Sequence, residues 1–423
     1  MARYLHAAVA RVKLQVRSHL PVDVEQLAEQ AGHCWRDRKL TPGVTVWLFL
    51  LQILHGNVAI TALRHVGGVT MRASSYCCAR ARLPLALFTQ LFDAMSQAAG
   101  AVGEGSPAAL LHGRRVLLGD GTTFSMPDTA ALRAHFGYPP GQREGCGFPM
   151  GKLLGVIDAI TGVIICAMGC PLFSHEAREM LTLHPLLKKG DILVADRAFC
   201  SFAQITLLMH HGVDAVMRLH QRRPTQWSKD VQQTWPRPVK RPEWMSEKVF
   251  SSLPETLAIR IVRYTVPRKG CRTKHVYVAT TLLDPFAYPP ETIMHLYGHR
   301  WNIEICFNQL KTHAKMNTLK SRTVEGVIKE LIMCLIVWNL VRMTMMKFAQ
   351  HAKVSPWRVS FLDTLRALSV LLQGERPTEL HLLINPDRPG RWEPRKLKRR
   401  IKQYDLLMEP RQRLKAKHRA RYA

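Results

Sequence analysis

Acidic residues are scarce in this chain. Only 31 Asp and Glu stand against 60 Lys and Arg, a formal net charge of +29 over 423 residues. That balance argues against a partner that is itself basic and points to a polyanion, most often nucleic acid. The ten cysteines include no C-x-x-C pair, which argues against a zinc ribbon or a dithiol redox motif. No Gly-x-Ser-x-Gly elbow is present, so Ser174-His175-Glu176 reads as a helix start rather than a hydrolytic triad. Long apolar runs are also missing. Residues 46–54 and 331–340 are too short to span a bilayer and read as buried helices. Residues 1–20 alternate charged and apolar side chains, unlike a secretory signal. A cytoplasmic, nucleoid-associated protein without disulfides and without a membrane is therefore expected.

What is present divides into blocks. Residues 1–108 read as a helical N-terminal domain, with apolar stripes at Leu27, Ala28, Ala31, Trp35 and at Trp47, Leu50, Leu51, Leu54. Arg72, Arg80 and Arg82 leave it open whether this domain touches DNA or only packs. Strand-like runs follow at 114–119, 152–158, 162–168, 192–195 and 213–219, the second and third forming a hairpin. Ser174 is placed as a cap for the helix between the hairpin and 192–195, and a further helix is predicted over 202–211. This order predicts an α/β fold with a ribonuclease-H-like mixed-sheet catalytic core over 109–320. A β-rich insertion is placed at about 221–275, with strands at 249–253 and 257–266, before a further strand at 275–281. One long helix is predicted from Glu291 to about Lys315. Residues 321–385 read as a C-terminal helical region, and 386–423 as a solvated basic tail with 395–400 as its densest run.

Two aspartates end buried runs. Asp120 follows RRVLLG, and Asp196 follows DILVA. Open sheets place ligands at strand ends. Acids repel DNA, so acids at a sheet edge of a basic chain suggest a metal, and oxygen ligands suit Mg²⁺. Asp128, Asp158 and Asp191 follow no such run: Asp128 reads as a turn or helix cap, Asp158 lies in the hairpin turn, and Asp191 precedes a strand. On the predicted long helix, Tyr297, Arg300, Glu304, Asn308 and Lys311 succeed one another in steps of 3, 4, 4 and 3, which puts them on one face. An apolar stripe of Ile303, Cys306, Phe307 and Leu310 lies beside it, ready to pack on the sheet. Taken alone, that face is equally readable as a solvated surface with an Arg300–Glu304 ion pair.

The spacing Y-x2-R-x3-E-x6-K at Tyr297, Arg300, Glu304 and Lys311 resembles the signature of the insertion-sequence-four family of DDE transposases. Asp120 in DGTTFSMPD and Asp196 in ADRAF resemble that family's two aspartate blocks, in the same order. The resemblance covers roughly residues 110–320 and fades over the N-terminal domain and tail. Asn308 stands where some relatives carry Lys. The resemblance implies cut-and-paste transposition by two-metal catalysis, with two Mg²⁺ ions that Mn²⁺ can replace. Asp120 would be shared between the ions, with Asp196 and Glu304 each completing one site. Arg300 and Lys311 would hold DNA phosphates, with Tyr297, Asn308 and Trp301 alongside. The partners implied are double-stranded DNA, as terminal inverted repeats and as target, and a second copy of the chain in a homodimer. Stacking on a flipped base is open to Trp227, Trp235, Trp244 or Trp301, each of which is also readable as core. Two further readings stay open: a DNA binder that no longer cuts, and a metal nuclease that never joins strands.

Overall fold

A computed structural model describes residues 20–36, 38–103, 111–139, 145–220, 223, 230–265, 275–373, 381–387 and 408–422. The predicted basic run at 395–400, Trp227 and most of residues 1–20 lie outside them.

Eight strands form one sheet: β1 (Val116–Ser125), β2 (Met150–Asp158), β3 (Ile164–Pro171), β4 (Ile192–Ala195), β5 (Asp214–Arg218), β6 (Asp230–Pro236), β7 (Thr256–Thr265) and β8 (His275–Thr280). Their order is β3-β2-β1-β4-β5-β8-β7-β6. β1, β2 and β3 are antiparallel, whereas β1, β4 and β5 run parallel. This is the ribonuclease-H-like mixed sheet that the element order predicts. β4 is apolar along its whole length and buried at every residue, as a central parallel strand covered on both faces must be.

Alternation sorts the side chains into two cores. Val116, Leu118, Ile192, Val194 and Val216 face a large helical layer. Leu117, Leu193, Ala195, Ala215 and Met217 face a second layer that includes the helix Phe202–His210. The first layer is built around Val324–Ala352, against which the N-terminal helices Pro42–Leu54 and Leu85–Gly103 pack.

Within the β-rich insertion, β6 and β7 extend the main sheet through β8. Several expectations need correction. Residues 249–253 are not a strand. Ser246 accepts from Val249 N and starts the helix Glu247–Ser251, so an N-cap overrides the β preference of Val249 and Phe250. Ser174 does not cap its helix. Its hydroxyl donates to Pro171 O at 2.8 Å, and His175 is the N-cap residue of Glu176–Met180. The long helix is broken into Pro290–Gly298 and Trp301–Thr312. At the break, His299 N, Arg300 N, Asn302 N and Ile303 N each bond three residues back, a tightened 3₁₀-type turn. Within the tail, Arg411–Tyr422 is a helix, and Arg411 pairs with Asp128 at 2.7 Å. No helix among the described residues is long and apolar enough to cross a membrane.

Candidate active site

The register of the sheet assembles the site. Gly119 pairs with Ala195, and Ala195 with Met217. The next row across β1, β4 and β5 is therefore Asp120, Asp196 and Arg218. Asp120 does not end its strand as the sequence suggests. It marks the end of the parallel ladder with β4, since β1 continues to Ser125 paired with β2 and bridged to Thr318 only at Ser125. β4 stops at Ala195, and the chain turns back through Phe199 N to Asp196 O (3.1 Å) and Cys200 N to Arg197 O (3.2 Å). Alternation places Asp120 with Leu118, and Asp196 with Val194, on the face covered by the broken helix pair.

That helix pair lies over the row. Phe307 packs over Gly155, the residue opposite Asp120: its ring atoms stand 3.5 and 3.6 Å from the position a Cβ would take there, an ordinary van der Waals contact. Tyr297 Oη reaches Asp196 Oδ1 at 3.5 Å. Arg300 Nη1 lies 2.7 Å from Glu304 Oε1 and 3.6 Å from Asp120 Oδ2. The guanidinium stands 4.9 Å from the Trp301 ring centroid and 5.9 Å from that of Tyr297. Asp120, Asp196, Tyr297, Arg300 and Glu304 thus converge, with exposed Trp301 at their border. Asn308, exposed, and Lys311, half-buried, continue the same face of the helix.

Electrostatics mark Asp120. Burial raises its carboxyl to about 6, with Glu304 and Asp196 adding to the rise. Gly121 N, donating at 2.8 Å, and Arg300 oppose it. Burial also raises Tyr297 and lowers Lys311. Burial works against the Arg300 charge, but Tyr297 and Glu304 outweigh it and hold its pKa above the ordinary arginine value.

The other aspartates are internally satisfied. Asp191 takes a forked pair from Arg115 at 3.0 and 2.6 Å. Asp158 closes the hairpin turn through Ile160 N, Thr161 N and the Thr161 hydroxyl at 2.8–3.0 Å. Asp128 accepts from Tyr138 and Arg133. Asp158 thus fits the turn role read from sequence, whereas the helix Ala130–Phe136 is capped by Thr129 rather than by Asp128.

The remaining candidates separate. Trp235 is buried under Arg223, whose guanidinium is 3.5 Å from its ring centroid, and Trp244 sits beside His175. Arg80 bonds Gln52 at 3.3 Å and stacks on Phe49 at 4.5 Å, so it works in packing, whereas Arg72 and Arg82 are exposed. Arg218 was missed in the sequence. The signal was there: it follows the buried run of β5 as Asp120 and Asp196 follow theirs, and its charge acts on Tyr297.

A divalent ion fits this donor set in chemistry: three carboxylates share one face, and a guanidinium already stands between two of them as a cation. The side chains are not closed around an ion. Among the described residues no three His, Cys, Asp or Glu side chains are close enough to enclose one.

The sequence profile of the family described as "Transposase DDE domain" matches residues 111–340. The chain therefore belongs to the DDE transposase family. It is 34% identical over 119 residues to the transposase InsG for insertion sequence element IS4 of Escherichia coli (strain K12). That match spans 27% of this chain and 26% of the relative. The fold also bears a distant likeness to the piggyBac transposase in a cryo-EM synaptic complex with hairpin DNA. The two give a TM-score of 0.45 at 11% identity, over 88% of this chain and 82% of the other.

Proposed function

We propose that this transposase binds the ends of its own insertion sequence, cuts the phosphodiester backbone and joins the freed 3′-OH ends to target DNA. The observation that carries this reading is the row Asp120–Asp196 facing Glu304, with Arg300, Arg218 and Tyr297 interleaved. Asp120, Asp196 and Glu304 would hold two Mg²⁺, or Mn²⁺ in their place. Such ions supply activation of the attacking water or 3′-hydroxyl and stabilisation of the leaving oxygen.

The chain's own residues do the rest. Arg300 and Lys311 bind the phosphates flanking the scissile bond, the first through its fork and the second as a point charge. Tyr297 holds Asp196 in orientation through its hydroxyl and presents its ring to the sugar. Trp301 and Asn308 border the path of the strand. The exposed arginines of the N-terminal helices and the basic tail contact backbone phosphates away from the reacting bond. Two copies of the chain, one at each end, act together on the bacterial nucleoid.

One assay tests the reading. Protein, Mg²⁺ and a duplex carrying the candidate terminal inverted repeat are incubated with a target plasmid. Joined products are expected. Nicking without joining would reduce the protein to a nuclease, and binding alone to a DNA-binding relic. Asp120→Ala, Asp196→Ala and Glu304→Ala should each abolish cleavage while leaving DNA affinity within a few-fold. Cleavage retained in any of the three removes that residue from the metal set.

A further inference from the structure

Arg300 is not placed like a surface ion-pair residue. An exposed i,i+4 pair keeps both ends hydrated and contributes little. Here the arginine is 6% exposed, while the Glu304 side chain it contacts is 42% exposed. Its Nη1 reaches past its own helix to Asp120 on β1. Its Nε is buried with no hydrogen-bond partner among the described residues, and its flat face rests near Trp301 and Tyr297. One positive charge thus stands between two carboxylates of the cluster, held by rings on its flank and left unsatisfied at one nitrogen.

We infer that the Arg300 guanidinium is an internal stand-in for a divalent cation, and that it must leave Asp120 and Glu304 for a metal to load, passing to a DNA phosphate as it does so. This rests on the proposed metal-dependent reading of the site. Two cations cannot share the space between Asp120 and Glu304, so metal and guanidinium compete for the same oxygens. Once expelled, a half-satisfied buried guanidinium needs another anion, because an unpaired buried charge is strongly unfavourable. A phosphate laid along the Tyr297–Lys311 face provides one, in the bidentate geometry arginine favours. DNA that draws Arg300 outward therefore tightens metal binding. By linkage, metal tightens DNA binding by the same factor. Without DNA the site holds its own cation and binds metal weakly.

The test is a titration of the full chain with Mn²⁺, read by the electron paramagnetic resonance signal of the free ion, with and without a duplex of the candidate terminal repeat. In the wild type, DNA should tighten Mn²⁺ binding about tenfold, within the usual range of coupling energies. Arg300→Gln should bind Mn²⁺ about tenfold tighter than wild type without DNA, and DNA should then add little. Equal or weaker Mn²⁺ binding by Arg300→Gln overturns the inference. Arg300→Lys, which keeps a charge without the fork, should fall between the two and serves if the glutamine variant does not fold. Asp196→Asn separates the two levels of the argument. If it loses Mn²⁺ while Arg300→Gln behaves as wild type, the stand-in role fails and the metal site remains. If it keeps Mn²⁺ at full affinity, the metal reading fails, and the stand-in role with it.

Discussion

His184 shows how burial alone sets a residue's response to pH. It is 1% exposed, and the Gln204 amide lies 2.9 Å from its Nε2. Its Nδ1 and the Gln204 side-chain oxygen are buried without partners among the described residues. Among the described residues no carboxylate contacts the ring, and the His211 imidazole 6.3 Å away adds to the disfavour of charge. Burial first, and His211 second, lower its pKa from 6.5 to about 4. The unfolded chain therefore takes up the proton first as pH falls. The stability contributed by neutral His184 is complete above pH 6.5 and is lost progressively toward pH 4. The loss by pH 4.5 should come to about 2–3 kcal/mol. Urea unfolding of wild type and His184→Gln at pH 7.5 and 4.5 checks this. A similar acid loss in both proteins would show that other groups carry the effect.

At the level of elements, the site is a property of register. The apolar runs before Asp120 and Asp196 are visible in the sequence, because a buried parallel strand is a short continuous apolar segment. So is the face of Tyr297, Arg300 and Glu304, because its 3- and 4-residue steps survive the break at Gly298–Trp301. What local patterns do not show is which strands are neighbours. Without the β4–β5 pairing, Arg218 is one arginine among many in a basic chain; with it, Arg218 stands in the same row as the two aspartates. The break itself had only Gly298 as a local cue, and the strand expected at 249–253 failed because capping outweighed propensity. The row makes a prediction at this scale. Arg218 is half-buried at the end of β5, beside Asp196 and Tyr297, and is placed to bind the phosphate of the reacting strand. One charged hydrogen bond to phosphate contributes roughly 1.5–3 kcal/mol. Arg218→Met should therefore lower kcat/KM for cleavage about 10- to 100-fold, mostly through KM, and leave the thermal midpoint within about a degree. Unchanged KM with a fallen midpoint would make Arg218 a structural residue only.

Across the whole molecule, the boundary near residue 108 divides the sequence but not the core. Pro42–Leu54 is buried at every position, and its side chains share one apolar cluster with Val324–Ala352 and the sheet. A polar joint crosses the same boundary. Glu330 is 1% exposed and accepts from Asn57 Nδ2 at 2.7 Å, Lys320 N at 2.9 Å, and Ser321 N and Oγ at 2.8 and 2.6 Å. Tyr76 and Arg80 extend it through Gln52, whose amide bonds Asn57. The chain segment 318–322 that this joint fixes also meets the end of β1, where Ser125 N donates to Asn317 O and Leu319 N to Ser125 O, both at 2.9 Å. Removing residues 1–108 would strip one side from Val324–Ala352 and leave Glu330 without Asn57. Loss of one hydrogen bond to a charged group alone costs about 1.5–3 kcal/mol, a sizeable part of what a domain of this size has to spare. A chain beginning at residue 109 should therefore show no cooperative thermal transition and should aggregate, although it retains Asp120, Asp196 and Glu304. Calorimetry and light scattering on that fragment decide the matter. A soluble fragment melting near the full-length temperature would mean that the N-terminal helices are an independent domain resting on the core, and that their burial contributes little to holding the site.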